Sequence, residues 1–263
     1  MEKADRLAHH AAMQGAVPLV KAKSLSPKKA TCLFDRIQES FKLCPGNLQA
    51  ARKSARLRAK NGVPLPIYWG GRAHTPMKLF GMPGLPHRDV TAFAEYKATG
   101  EHSVYRFGKW RVNWVKYSPE PATCPPYNLD LLPTVDGRSL VDIIQERTGE
   151  RPNHCIVTRY VNDKDCINLH HDKVVDLEPG TGIHMLSLGA PRTLTIAQQD
   201  DKQTVFKVPT EHGGLVTLTW EDNLAYKHGI RGNRKQTSPR ISLIFRTCRT
   251  WYNPKTGASH NGI

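Results

Sequence analysis

Residues 240–246 read Arg240-Ile241-Ser242-Leu243-Ile244-Phe245-Arg246, and the hydrophobic period is two. Successive side chains of a strand point to opposite faces. Ile241, Leu243 and Phe245 therefore share one face, and Arg240, Ser242, Ile244 and Arg246 share the other. Two placements fit. The strand can run at an edge with its arginines in water, or in a sheet with the arginines inside an enclosed mouth. The second demands an anion, because a buried unpaired charge is prohibitively costly. A guanidinium suits bidentate carboxylate recognition, so that anion would be a small carboxylate.

Upstream of this strand the same short β-rich pattern recurs at residues 154–160, 183–189, 193–197, 204–208 and 214–219, punctuated by Gly, Pro and Asp. Such spacing indicates an antiparallel sandwich or barrel. Residues 139–147 read as a short helix burying Leu140, Ile143 and Ile144. There are no internal repeats.

Two sites between these strands carry metal-ligand chemistry. Leu169-His170-His171-Asp172 contains a His-x-Asp pair, and His228 follows well downstream, in Tyr226-Lys227-His228-Gly229-Ile230. Two imidazoles and a carboxylate on one face of iron(II) leave positions open for a chelating cosubstrate and dioxygen. On an extended segment His170 and Asp172 point the same way, and His228 has to arrive from another strand. With twelve histidines in the chain, a His-x-Asp pair is unspecific by itself, and zinc takes the same ligand types.

The whole set, in order, is Tyr160, His170-x-Asp172, Ser187-Leu188-Gly189, His228-Gly229-Ile230, and Pro239-Arg240 through Arg246. In that order, spacing and flanking sequence the chain resembles the AlkB family of nucleic-acid dioxygenases. The resemblance is strong over residues 150–250, weaker over 117–133, and absent over 1–60. It implies a mainly β fold with flanking helices around a double-stranded β-helix (jelly-roll) core. It implies Fe(II) on His170, Asp172 and His228, with 2-oxoglutarate and O2 as cosubstrates. Arg240 would take the distal carboxylate of 2-oxoglutarate, Arg246 would sit near its iron-bound end close to Asp172, and Tyr160 would give it a hydroxyl. Thr158 and Ser242 stand where the family commonly has Asn, and both keep the cosubstrate pocket polar. Val174 stands where several repair members carry an acid that reads a base amine. Oxidation of a methyl or other C–H group on a nucleic-acid base, by demethylation or stable hydroxylation, is the implied activity. The alternative is a dioxygenase acting on a protein or small molecule.

Composition bears on the partner. The 263 residues carry a formal net charge of +15, which favours polyanions through counterion release. Residues 1–64 hold thirteen Lys or Arg against four Asp or Glu, a surplus of nine. Within them, residues 31–43 place Leu33, Phe34, Ile37 and Phe41 at helical spacing. Residues 49–61 carry Arg52, Lys53, Arg56, Arg58 and Lys60 on an Ala-rich background, as a helix for a phosphate backbone or as a solvated face. Tyr105, Phe107, Trp110, Trp114 and Tyr117 interleave with Arg106, Lys109, Arg111 and Lys116, which suits base stacking beside phosphate contacts or a hairpin packed on the core. Trp110, Trp114, Tyr117, His171 and Val174 are accordingly the expected substrate contacts.

The expected organisation is a basic helical extension over residues 1–64, an aromatic and basic recognition lid over 65–135, the dioxygenase core over 136–255 and a tail over 256–263. No apolar run approaches the ~20 residues of a membrane span. Residues 1–15 lack the apolar stretch of a secretory signal, and the six cysteines show no CxxC spacing. They read as reduced thiols of an intracellular protein.

Overall fold

The computed structural model describes residues 20–43, 67–71, 77–79, 82–84, 88–105, 126–198, 204–232 and 238–261. The N-terminal half supplies β1 (Val20–Lys23), α1 (Pro27–Ser40), β2 (Phe41–Leu43), β3 (Ile67–Gly71), β4 (Met77–Leu79), β5 (Met82–Gly84), β6 (Asp89–Ala94), β7 (His102–Ser103) and β8 (Tyr127–Asn128). After a 3-10 turn at Leu129–Leu131 come α2 (Leu140–Thr148), β9 (His154–Tyr160), β10 (Ile167–His170), β11 (Ile183–Gly189), β12 (Arg192–Gln198) and β13 (Thr204–Thr210). The chain then forms β14 (Gly214–Leu218), α3 (Trp220–Ala225), β15 (Tyr226–Ile230), β16 (Arg240–Arg246), β17 (Thr250–Tyr252) and β18 (Ser259–Asn261).

Strand order defines the architecture. One sheet runs β1-β14-β11-β16-β9-β6-β3-β2, and a second runs β10-β15-β12-β13. From β9 to β16 the chain alternates between the sheets, with only β12 and β13 consecutive in one of them. This is a double-stranded β-helix, a jelly-roll core whose sheets enclose a mouth.

Both faces of the larger sheet are used. Ile241, Leu243 and Phe245 are fully buried with Leu186, Leu188, Cys155 and Val157 beneath the two helices. Helix α1 lays Ala30, Leu33 and Ile37 on that face, and α2 adds Leu140, Ile143 and Ile144. Burying each such aliphatic side chain stabilises by about 1.5–3 kcal/mol. Helix α2 starts at Ser139, whose Oγ accepts from the Asp142 N–H, and stops at Gly149, φ 79°. Close contact of α1 with β11 needs Gly189: it has φ 81°, and an added Cβ would lie 2.6 Å from the Phe34 ring and 2.4 Å from the Pro239 carbonyl.

The described part of residues 1–64 is thus built into the sheet rather than standing apart as an extension. β1 pairs with β14, β2 pairs with β3, and α1 covers the core between them. Helix α1 starts ahead of the amphipathic stretch expected at 31–43, with Pro27 in its first turn, and it gives way to β2 at Phe41. Strands β3 and β6, from the segment expected to be a lid, also extend this sheet, β6 pairing with β9 over its full length. Here hydrophobic residues are spent on packing, which composition alone does not reveal. The basic stretch at 49–61 and residues 106–117 lie outside the described residues. Among the described residues, Cys32, Cys155, Cys166 and Cys248 are free thiols, and no helix is long and apolar enough to cross a membrane.

Candidate metal and cosubstrate site

His170, Asp172 and His228 converge at the mouth between the sheets, with ligand atoms all within 4.8 Å of one another. Two local features bring the imidazoles together. His170 on β10 sits directly opposite His228 on β15, and the register shifts between Ile167 and His170. Such a bulge re-aims a side chain at a sheet's end. The close approach also needs Gly229, where an added Cβ would lie 2.8 Å from the Ile167 carbonyl. The two rings are 4.5 Å apart. His170 Nδ1 lies 2.7 Å from the Asn168 carbonyl, which fixes Nδ1 as the protonated nitrogen and leaves Nε2 for a metal.

Asp172 arrives differently from the expectation of a shared strand face. Strand β10 ends at His170, and residues 171–173 are irregular. Side chains from α3, from β16 and from the irregular chain after β7 hold them. Asn223 of α3 accepts from the Asp172 N–H at 2.8 Å and donates to the Asp172 carbonyl at 3.0 Å. The Tyr105 hydroxyl accepts from the Lys173 N–H at 3.1 Å. Arg246 of β16 grips the carboxylate, Nε to Oδ2 at 2.7 Å and Nη2 to the same oxygen at 2.5 Å. Oδ1 faces His170 Nε2 at 3.7 Å.

Electrostatics prepare these groups for a cation. Burial pushes the Asp172 carboxyl up, but Arg246, His228 and His170 together outweigh it and hold it at about 2. Burial lowers His228 to about 3, with the neighbouring His170 adding to the shift, so its imidazole is neutral at physiological pH, the form a metal takes. Burial likewise lowers His154 to about 3.

A pH prediction follows from these two histidines. An unfolded chain protonates His near 6.5, whereas the folded state keeps both neutral to about 3. Their contribution is complete above about pH 6.5 and is lost as pH falls toward 3. Thermal unfolding of the metal-free protein should therefore show a lower Tm at pH 5 than at pH 7.5. A Tm that stays flat or rises over that interval would show that both rings are solvated.

The strand that supplies Arg246 to Asp172 also carries buried polar groups. Arg240 is fully buried; Nη2 donates to Ser187 Oγ at 3.0 Å, while Nε and Nη1 have no hydrogen-bond partner among the described residues. Burial lowers its pKa to about 10. In the paired registers Arg240 lies beside Tyr160, and Ser242 lies between Thr158 and Ser187. Thr158, Tyr160 and Ser242 are all buried, and Ser242 Oγ also lacks a partner among the described residues. A fully buried guanidinium with two open nitrogens is the signature of a binding site for an anion that the protein itself does not supply. The adjoining cavity is lined by Ile183, Met185, Leu194, Val216, Leu218 and His228, an apolar sleeve beside the metal ligands. Both an iron(II) ion and a dicarboxylate fit these donors.

Of the expected substrate contacts, His171 and Val174 flank Asp172 and are half-buried, while Trp110, Trp114 and Tyr117 lie outside the described residues. Tyr105 is not free to stack on a base: it is buried, and the Arg246 guanidinium sits 4.3 Å from its ring centre. Asp176 is fully buried beside Cys248, so it cannot offer a carboxylate where Val174 lacks one. Three residues of the site escape sequence reasoning. Ser187 enters it only as part of a motif. Arg192 is buried against the Tyr160 ring and donates to the carbonyls of Asp165 and Arg231. Asn223 lies in a helix whose start is legible, since Thr219-x-x-Asp222 is a capping pattern and Thr219 Oγ1 accepts from the Asp222 N–H.

The family model described as the 2OG-Fe(II) oxygenase superfamily matches residues 19–249, and the chain belongs to that superfamily. Within it the chain is AlkB-like. It is 29% identical over 112 residues to the human DNA oxidative demethylase ALKBH2, covering 40% of this chain and 43% of that protein. It is 28% identical over 118 residues to the human alpha-ketoglutarate-dependent dioxygenase alkB homolog 3, covering 42% of this chain and 41% of that protein. The match thus spans less than half the length of these curated relatives. The solved structure of OsALKBH1 has a TM-score of 0.47 at 15% identity, covering 87% of this chain and 97% of that one. Fe(II), 2-oxoglutarate and O2 are the cofactor and cosubstrates that the superfamily uses.

Proposed function

We propose that the chain is an Fe(II)- and 2-oxoglutarate-dependent dioxygenase that oxidises a methyl or other C–H group on a nucleic-acid base. The observation that carries the enzymatic reading is the fully buried Arg240, with two nitrogens unpartnered among the described residues, on the strand whose Arg246 grips Asp172 of a His-Asp-His cluster. His170, Asp172 and His228 would hold the iron. Arg240 would take the distal carboxylate of 2-oxoglutarate, with Tyr160, Thr158 and Ser242 as neutral partners. Iron and 2-oxoglutarate, when bound, supply oxidation of a C–H group by dioxygen coupled to formation of succinate and carbon dioxide. Arg246 keeps Asp172 ionised and oriented, and the apolar sleeve excludes water from the reacting centre.

The nucleic-acid substrate is supported by the net charge of +15 and by the DNA demethylase name of one relative. Binding of labelled single-stranded DNA and RNA at two salt concentrations tests it, since phosphate contacts give a steep salt slope. No binding, together with succinate formation on a protein or small molecule, would move the substrate out of nucleic acid and leave the chemistry standing.

Val174 narrows the choice of base. An apolar lining cannot accept a hydrogen bond from an exocyclic amine, and burying that amine unpaired costs about 1–3 kcal/mol. Methylated bases with a carbonyl at that edge should therefore compete well with methylated adenine or cytosine. Turnover of 1-methyladenine, 3-methylcytosine, 3-methylthymine and 5-methylcytosine in one oligonucleotide context measures this. Strong preference for the first two would refute the role given to Val174.

A further inference from the structure

The metal ligand Asp172 belongs to no strand, yet its main chain is satisfied at both ends by one buried side chain. Asn223 is 1% exposed, and its amide spans the Asp172 N–H and carbonyl in a paired arrangement. Asn223 is itself fixed, because its own N–H donates to the Thr219 carbonyl at 3.0 Å within α3. Helix α3 runs directly into β15, which carries His228, so one short segment anchors two of the three ligands. From these contacts we infer that Asn223 is a positioning residue for the metal centre. It sets the Asp172 main chain so that Oδ2 meets Arg246 and Oδ1 faces His170.

The physical reason for a carboxamide is that Asn or Gln presents an acceptor and a donor side by side, matching the N–H and the C=O of one residue. An apolar side chain of the same branched shape leaves the Asp172 N–H and carbonyl without these partners. The loop would then sample several orientations, and metal binding would have to select one. The loss of an outer-sphere partner that orients a ligand typically weakens metal binding about 10–100-fold.

The inference rests on Asp172 being a ligand, and the test separates the two. Cobalt(II) is titrated into the full metal-free chain and followed by its visible absorption, for the unmodified protein and for Asn223→Leu, Asn223→Gln, Thr219→Ala and Asp172→Ala. We expect Asn223→Leu to weaken cobalt binding about 10–100-fold, and Asn223→Gln to recover part of that loss. Thr219→Ala removes the cap of the same helix without touching Asp172, so it should lower Tm with little change in cobalt affinity. Weakened binding in Asp172→Ala with none in Asn223→Leu would overturn the clamp alone, as would equal weakening in Thr219→Ala and Asn223→Leu. Unchanged binding in Asp172→Ala would overturn the ligand assignment and the clamp with it. A measurement on the unmodified metal-free chain stands independently of any variant's folding. The Asp172 amide should exchange slowly with deuterium, and rapid exchange would show that Asn223 does not hold it.

Discussion

Replacing Arg240 with alanine is expected to raise the 2-oxoglutarate concentration needed for half-maximal turnover by between roughly 30-fold and several thousandfold. That range follows from the cost of removing one partner of a desolvated charge pair, about 2–5 kcal/mol. Arg240→Lys should rescue poorly, because an ammonium offers no planar fork to a carboxylate. Two accompanying results distinguish a cosubstrate anchor from a merely structural arginine. Cobalt affinity should be unchanged, since Arg240 is not among the clustered ligands. Tm without 2-oxoglutarate should also change little or rise, because the guanidinium is fully buried with two nitrogens unpartnered among the described residues. The stabilisation that added 2-oxoglutarate gives the unmodified protein should vanish. If the dependence on 2-oxoglutarate is the same in Arg240→Ala, the anion reading of this pocket is wrong.

His228→Ala and Asp172→Ala should each abolish succinate formation, including the slow turnover expected without a primary substrate, and should no longer bind one iron(II) tightly. His228→Ala is the cleaner variant. In Asp172→Ala the buried Arg246 loses the carboxylate that two of its nitrogens contact, and breaking a buried pair costs about 3–5 kcal/mol. That variant should show both a lower Tm and the loss of metal. Full turnover by both variants would place the metal elsewhere.

How much of this is legible in the sequence differs by element. The alternation in residues 240–246 describes β16 as it is, with Ile241, Leu243 and Phe245 in the core and Arg240, Ser242 and Arg246 buried on the opposite face. Periodicity also locates β9 and β11 to the residue, because an alternating or apolar run bounded by turns leaves few choices. β10 escapes it: the short run Ile167-Asn168-Leu169-His170 is too brief for a period and includes a bulge. The strands between residues 67 and 94 escape it for a related reason. They lie in a Gly- and Pro-rich stretch, and pairing with β9, distant in sequence, is what makes β6 part of the sheet.

The sequence by itself determined the candidate donors: two imidazoles and a carboxylate, the two arginines and the order in which they occur, each fixed by residue identity and short-range spacing. Only the tertiary structure decided how the parts meet. Whether Arg240 lies in water or in a closed pocket depends on the second sheet covering it, and no local pattern encodes that. The placement of Asp172 is likewise set by Asn223 and Arg246 from far downstream and by Tyr105 from far upstream. Tyr105 shows the same division. Beside Phe107 and Trp110 in sequence it reads as part of a stacking surface, but burial against Arg246 and the hydrogen bond it accepts from the Lys173 N–H commit it to the loop that carries Asp172. A side chain's partners follow from which surfaces the fold closes, and closure is a property of long-range pairing.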